Sequence, residues 1–113
     1  MEKYMETLFA GQQYDNKNFF LIAGPCVVED EEMVFAIAEK VSGICKKLSI
    51  PYIFKASYRK ANRTSGNSFT GIGDEKALAL IQSVGKKQGL PVTTDIHAHE
   101  EAALAANYVD VLQ

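Results

Sequence analysis

No stretch of this chain approaches the roughly 20 apolar residues needed to cross a bilayer. The opening segment, MEKYMETLFAGQQYDNKNFF, carries acids and amides where a secretory signal would have its apolar core. The expected location is therefore the cytoplasm. There are only two cysteines, Cys26 and Cys45, which fits reduced thiols better than a disulfide. Internal repeats and low-complexity segments are absent. No GxGxxG follows the first apolar run, which weakens a dinucleotide-binding reading. Nor is there a broad basic face: a formal net charge of −2 and a pI near 5.6 argue against a general nucleic-acid or membrane surface. What remains is 113 residues, 47% hydrophobic and 23% charged, the composition of one small soluble domain.

Against that acidic background, Ile53 to Gly73 (IFKASYRKANRTSGNSFTGIG) is a local exception. It begins as an apolar strand and becomes cationic, with Lys55, Arg59, Lys60 and Arg63 falling within nine residues. Ser57, Asn62, Thr64 and Ser65 are interleaved with them, and no acid occurs before Asp74. Lysine supplies a point charge, arginine a planar fork, and hydroxyls and amides neutral donors, so such a stretch can hold an anion. Gly66, Gly71 and Gly73 allow a ligand or a sharp turn to come close. A solvated basic loop is the plainer alternative. It ranks second because the cations are concentrated here rather than spread through the chain.

Residues 1–18 read as an irregular or short-stranded lead-in. Phe19–Ala23 is a continuous apolar run, as in a strand buried on both faces, and Gly24-Pro25-Cys26 ends it. A helix should follow over 31–48, with Met33, Ile37, Val41, Ile44, Cys45 and Leu48 on its inner face. The acids Glu29, Asp30, Glu31 and Glu32 lie near its N-terminus and Lys46 and Lys47 near its end, as the helix dipole prefers. A second strand is expected over 52–56. A helix over about 75–88 follows, capped by Asp74, with Ala77, Leu78, Ile81 and Val84 inward. Gly89 then suits its C-terminal cap, and Pro91 prevents continuation. The last elements are a strand over 91–94, a short alanine-rich helix over 100–107 and a strand over 109–112.

Strand–helix alternation with short connections predicts a parallel α/β sheet with right-handed crossovers. Each strand finishes in polar residues: Cys26, then Lys55 and Ser57, then Asp95 and His97, then Gln113. In parallel α/β folds the ligand lies at that carboxyl edge. Four strands and three helices are about half of a (β/α)8 barrel, which takes roughly 250 residues. Residues 19–113 are thus expected to be the N-terminal half of such a barrel, inactive alone.

The motifs IAGPC, FKAS, KANR, SFTGIG, TDIH and DVLQ, in this order and spacing, resemble the 3-deoxy-D-manno-octulosonate 8-phosphate synthase family over about 20–113. The resemblance implies a TIM barrel of the class I aldolase, DAHP synthase-like type, usually a tetramer. Its reaction condenses phosphoenolpyruvate with D-arabinose 5-phosphate and water, releasing phosphate, in lipopolysaccharide synthesis. Lys55 and Lys60 then correspond to phosphoenolpyruvate contacts, with Lys60 also near the aldehyde. Ser57 and Gln113 are supporting contacts. Asn62 corresponds to an arabinose 5-phosphate contact, and Arg63, Thr64 and Ser65 to the grip on its phosphate. Asp95 corresponds to the carboxylate near metal and sugar hydroxyls. Cys26 stands where metal-dependent members have their thiolate ligand and metal-independent members have Asn, so a divalent metal cofactor is expected.

Two departures stand out: Tyr58-Arg59 replaces the frequent Phe-Asp before KANR, and Thr70 replaces an Arg. Each assignment has a plainer rival. A free Cys is often a small core residue, but the place of Cys26 after Gly24-Pro25 favours a ligand. Asp95 alone would suit a helix cap; His97 beside it favours a site. Two other functions compete. The sister enzyme making 3-deoxy-D-arabino-heptulosonate 7-phosphate typically has Pro where Asn62 stands. A non-catalytic half barrel binding phosphate or a partner chain has only the short length in its favour.

Overall fold

The computed structural model describes residues 2–59 and 73–113. Its elements are α1 (Glu2–Leu8), β1 (Leu21–Ala23), α2 (Glu31–Leu48), β2 (Tyr52–Lys55), α3 (Asp74–Gln88), β3 (Val92–Thr94), a 3-10 turn (His99–Glu101), α4 (Ala102–Ala106) and β4 (Val111–Leu112). The four strands form one parallel sheet in the order β1-β2-β3-β4. Each crossover adds the next strand on the same side, so the sheet is wound in one direction. A doubly wound sheet would reverse at a switch point. This is the wall of a barrel, and four strands make half of one.

The helices begin and end where their termini are satisfied. Asp30 caps α2, its carboxylate accepting from the Glu32 N–H at 3.1 Å. Ser49 closes α2 in the left-handed region at φ 57°. Gly89 closes α3 at φ 68°, where glycine carries no Cβ penalty. Ala77, Leu78, Ile81 and Val84 of α3 are all buried, as their spacing predicts. They pack with Val34, Ala38 and Cys45 of α2 and with Tyr52, Phe54 and Ala56 from β2 and its end. Burial pushes the Cys45 thiol up, as befits an inert core residue.

Four expectations need correction. Residues 2–8 are helical, and the lead-in is a plug at the amino ends of the strands. Phe9 is buried against Tyr14 and Phe20, and the Gln12 side chain both accepts from the Tyr52 N–H (2.8 Å) and donates to the Tyr52 carbonyl (3.0 Å). The core face of α2 is Val34, Ala38, Ser42 and Cys45, while Met33, Ile44 and Leu48 are exposed. β1 is an edge strand rather than one buried on both faces, since Ile22 is 47% exposed. Asp74 lies in the first turn of α3, and Gly73 occupies the cap without a side-chain bond. Among the described residues, no helix is long and apolar enough to cross a membrane.

Candidate active site

Parallel pairing brings the carboxyl ends of all four strands to one edge. Side chains alternate across a strand, and paired residues share a face. Lys55 is paired with Thr93, and Thr93 with Val111. Alternation carries Ser57, Asp95 and Gln113 onto the same face, opposite the one on which Tyr52 and Phe54 meet the helices. The Ser57 hydroxyl donates to Asp95 Oδ1 at 2.5 Å, tying the ends of β2 and β3 together. Asp95 Oδ2 lies 3.5 Å from His97 Nε2. The same Nε2 is 3.1 Å from the Arg59 carbonyl, which can only accept, so Nε2 carries the proton. Asp95 is therefore a bridge between two strand ends and a histidine, not a helix cap.

The backbone of this edge is fixed from both sides. Thr94 Oγ1 donates to the Ala56 carbonyl and Thr93 Oγ1 to the Val111 carbonyl, each at 2.8 Å. Gln113 extends the ladder, its N–H reaching Thr94 O and its carbonyl receiving the Ile96 N–H. Gly24 explains the first motif. A Cβ there would fall 1.7 Å from the Lys55 carbonyl oxygen, so only glycine lets the end of β1 lie this close to β2. Lys55 is half-buried at the end of β2, and no acid among the described residues pairs with it.

Arg59 differs. Its Nη2 lies 2.8 Å from Glu101 Oε2, and its Nη1 4.0 Å from Asp74 Oδ2. The contact with Glu101 is an ion pair rather than an aligned hydrogen bond. Tyr58 is buried beneath and donates its hydroxyl to Glu101 Oε1. The Tyr58 hydroxyl, and then Arg59, hold the Glu101 carboxyl below its ordinary range. Burial first, then Glu101, push the Tyr58 hydroxyl up. The added cation of the Tyr58-Arg59 departure is thus matched by acids from two other elements. Nothing in the sequence pointed to Glu101, which lies 42 positions on and reads as a helix surface.

Lys60, Asn62, Arg63, Thr64 and Ser65 lie outside the described residues. Cys26 follows β1 and is exposed, which removes the buried-thiol reading. The residue next to it, Val27, bridges to Ser57, placing the thiol's segment beside the site. No group of three His, Cys, Asp or Glu side chains among the described residues could hold a metal. One thiolate does not make a metal centre, for which three or four ligands are usual. The described residues therefore do not fit a complete one. A cleft between the starts of α2 and α3, lined by Glu29, Asp30, Glu31, Lys76 and Ser83, is acid-rich.

The structure is thus a singly wound parallel half barrel with a lysine, a hydroxyl and a carboxylate on one face at its strand ends. The chain belongs to the DAHP synthetase I family, whose sequence profile matches residues 5–113. It is 52% identical over 98 residues to a 2-dehydro-3-deoxyphosphooctonate aldolase of Aromatoleum aromaticum, covering 87% of this chain and 35% of that protein. Proteins of the same name from Paraburkholderia xenovorans (51% over 98 residues, 87% and 34% covered) and Koribacter versatilis (53% over 94 residues, 83% and 34% covered) are similar. The chain spans about a third of the length of the curated relatives it matches.

Proposed function

We propose that these 113 residues supply the first four strands of a 3-deoxy-D-manno-octulosonate 8-phosphate synthase. In that reading phosphoenolpyruvate condenses with D-arabinose 5-phosphate and water, and phosphate leaves. The observation that carries it is the meeting of Lys55, Ser57 and Asp95 on one face at the carboxyl edge, in a chain about half identical to relatives named 2-dehydro-3-deoxyphosphooctonate aldolase. Two phosphorylated substrates bring several negative charges together, and cations that hold both supply the positioning. Lys55 anchors phosphoenolpyruvate. Lys60 stabilises the charge that develops on the aldehyde oxygen as the enol carbon attacks. Asn62, Arg63, Thr64 and Ser65 hold the sugar phosphate, and Gln113 supports the edge. Asp95, oriented by Ser57 and His97, is set to meet the sugar hydroxyls.

Cys26 is proposed as one thiolate donor to a divalent metal whose other ligands lie outside the described residues; such a metal would orient water or the aldehyde. Cytoplasmic location and a homotetramer belong to the same proposal. The family's description favours a second reading, the heptulosonate-forming sister reaction. The test joins this chain to the remaining length of the Aromatoleum relative and measures phosphate release with each aldehyde. Faster turnover of arabinose 5-phosphate than of erythrose 4-phosphate supports the proposal; the reverse order overturns it in favour of the second reading.

A further inference from the structure

Arg59 and Asp74 stand on either side of residues 60–72 in the sequence, and Glu101 comes from the turn after β3. The Arg59 side chain reaches both acids, Glu101 at 2.8 Å and Asp74 at 4.0 Å. Its guanidinium lies 5.9 Å from the Tyr58 ring centre, and its carbonyl receives His97 Nε2. Tyr58 hangs from the core and ends on the other Glu101 oxygen. One carboxylate therefore holds two successive side chains, Tyr58 and Arg59, beyond the end of β2. Arg59 is 41% accessible, and an ion pair so placed contributes little to stability.

We propose that Glu101 and Arg59 are a positioning pair, a brace at the stem of the cationic stretch, and that Arg59 is a strut rather than an anion ligand. This rests on the reading of residues 55–65 as anion-holding, and it divides the four cations by task. Among the described residues Lys55 has no acid partner, while Arg59 is neutralised. A direct ligand and a strut respond differently to loss of Glu101. If Arg59 bound the anion, removing its neighbouring acid would free the guanidinium and tighten binding. If it is a strut, loss of either partner loosens the stem and weakens binding.

The test titrates inorganic phosphate into the chain, in the assembly it forms, and into Glu101→Gln and Arg59→Gln, followed by phosphorus NMR. Amide exchange is measured at Val28, Ala77 and Glu101, whose N–H groups donate to the Ser57, Gly73 and Ala98 carbonyls beside the pair. The brace predicts that both variants weaken phosphate by about five- to tenfold, although they remove charges of opposite sign. It also predicts exchange faster by about tenfold at those amides, with little change in Tm. Tighter phosphate in Glu101→Gln, or unchanged exchange in both variants, overturns it. If the parent chain binds no phosphate, the anion reading fails, and the exchange measurement decides the brace by itself.

Discussion

Substituting Gly24 by Ala should damage this protein far more than one methyl group suggests. The added Cβ would sit 1.7 Å from the Lys55 oxygen, 2.8 Å from its carbonyl carbon and 3.2 Å from its nitrogen. A relaxed carbon–oxygen approach is roughly 3.3 Å, so the backbones must separate by more than 1 Å. No side chain can swing away, because the three nearest neighbours are all main chain. β1 is only three residues long and pairs at three positions, so it has little pairing to give up. Overpacking of about 1–3 kcal/mol and weakened ladder bonds of about 1 kcal/mol each sum to about 3 kcal/mol. That is a large share of the roughly 6–17 kcal/mol expected for a chain of this size. Gly43→Ala is the control. Its Cβ meets nothing within 4 Å in the middle of α2, and alanine should stabilise the helix by about 0.5–1 kcal/mol. Urea unfolding followed by circular dichroism should move the two midpoints in opposite directions. A loss under about 1 kcal/mol for Gly24→Ala would refute the close-approach argument.

The other predictions concern charge. Glu101 titrates below its ordinary range when folded. Its contribution to stability is present above the unfolded value of about 4.3 and is lost as pH falls through the lower folded value. Glu101→Gln should flatten that acid limb, and an identical limb in both proteins would contradict the assignment. Tyr58, raised by burial, contributes fully below about pH 10 and loses its contribution as pH rises further. In the completed barrel, Cys26→Ala should lower divalent metal retained on equilibrium dialysis; unchanged retention would remove Cys26 from the site. Lys60→Ala should lower kcat and kcat/KM together, while Arg63→Ala should chiefly raise KM for the sugar phosphate, each at a cost of about 1.5–3 kcal/mol. Equal effects on both substrates would leave the stretch only a diffuse positive field.

The limits of α2, the inner residues of α3 and the Gly89 cap were all legible, because each depends on local signals: an N-cap carboxylate, helical spacing, a glycine before proline. The inner face of α2 was not. Two stripes satisfy helical spacing there, and the larger residues, Met33, Ile44 and Leu48, are the exposed ones. Close packing of α2 against the sheet and α3 selects the smaller set, Val34, Ala38 and Ser42, a choice that rests on neighbours far away in sequence. β1 reads as a central strand, yet here it is an edge with Ile22 exposed. Lys55, Ser57, Asp95 and Gln113 were placed at one edge by strand order alone. Glu101 was invisible because its partners, Tyr58 and Arg59, meet it only through the pairing of β2 with β3.

These strands are proposed to carry half of an active site that works only in a completed barrel. The most direct measurement compares phosphate release from phosphoenolpyruvate and arabinose 5-phosphate by the 113-residue chain alone and by the chain joined to the remaining length of its Aromatoleum relative. None is expected from the first and turnover from the second. A cooperatively folded 12.4 kDa monomer that turns over both substrates, or a folded joined protein that releases no phosphate, would contradict it.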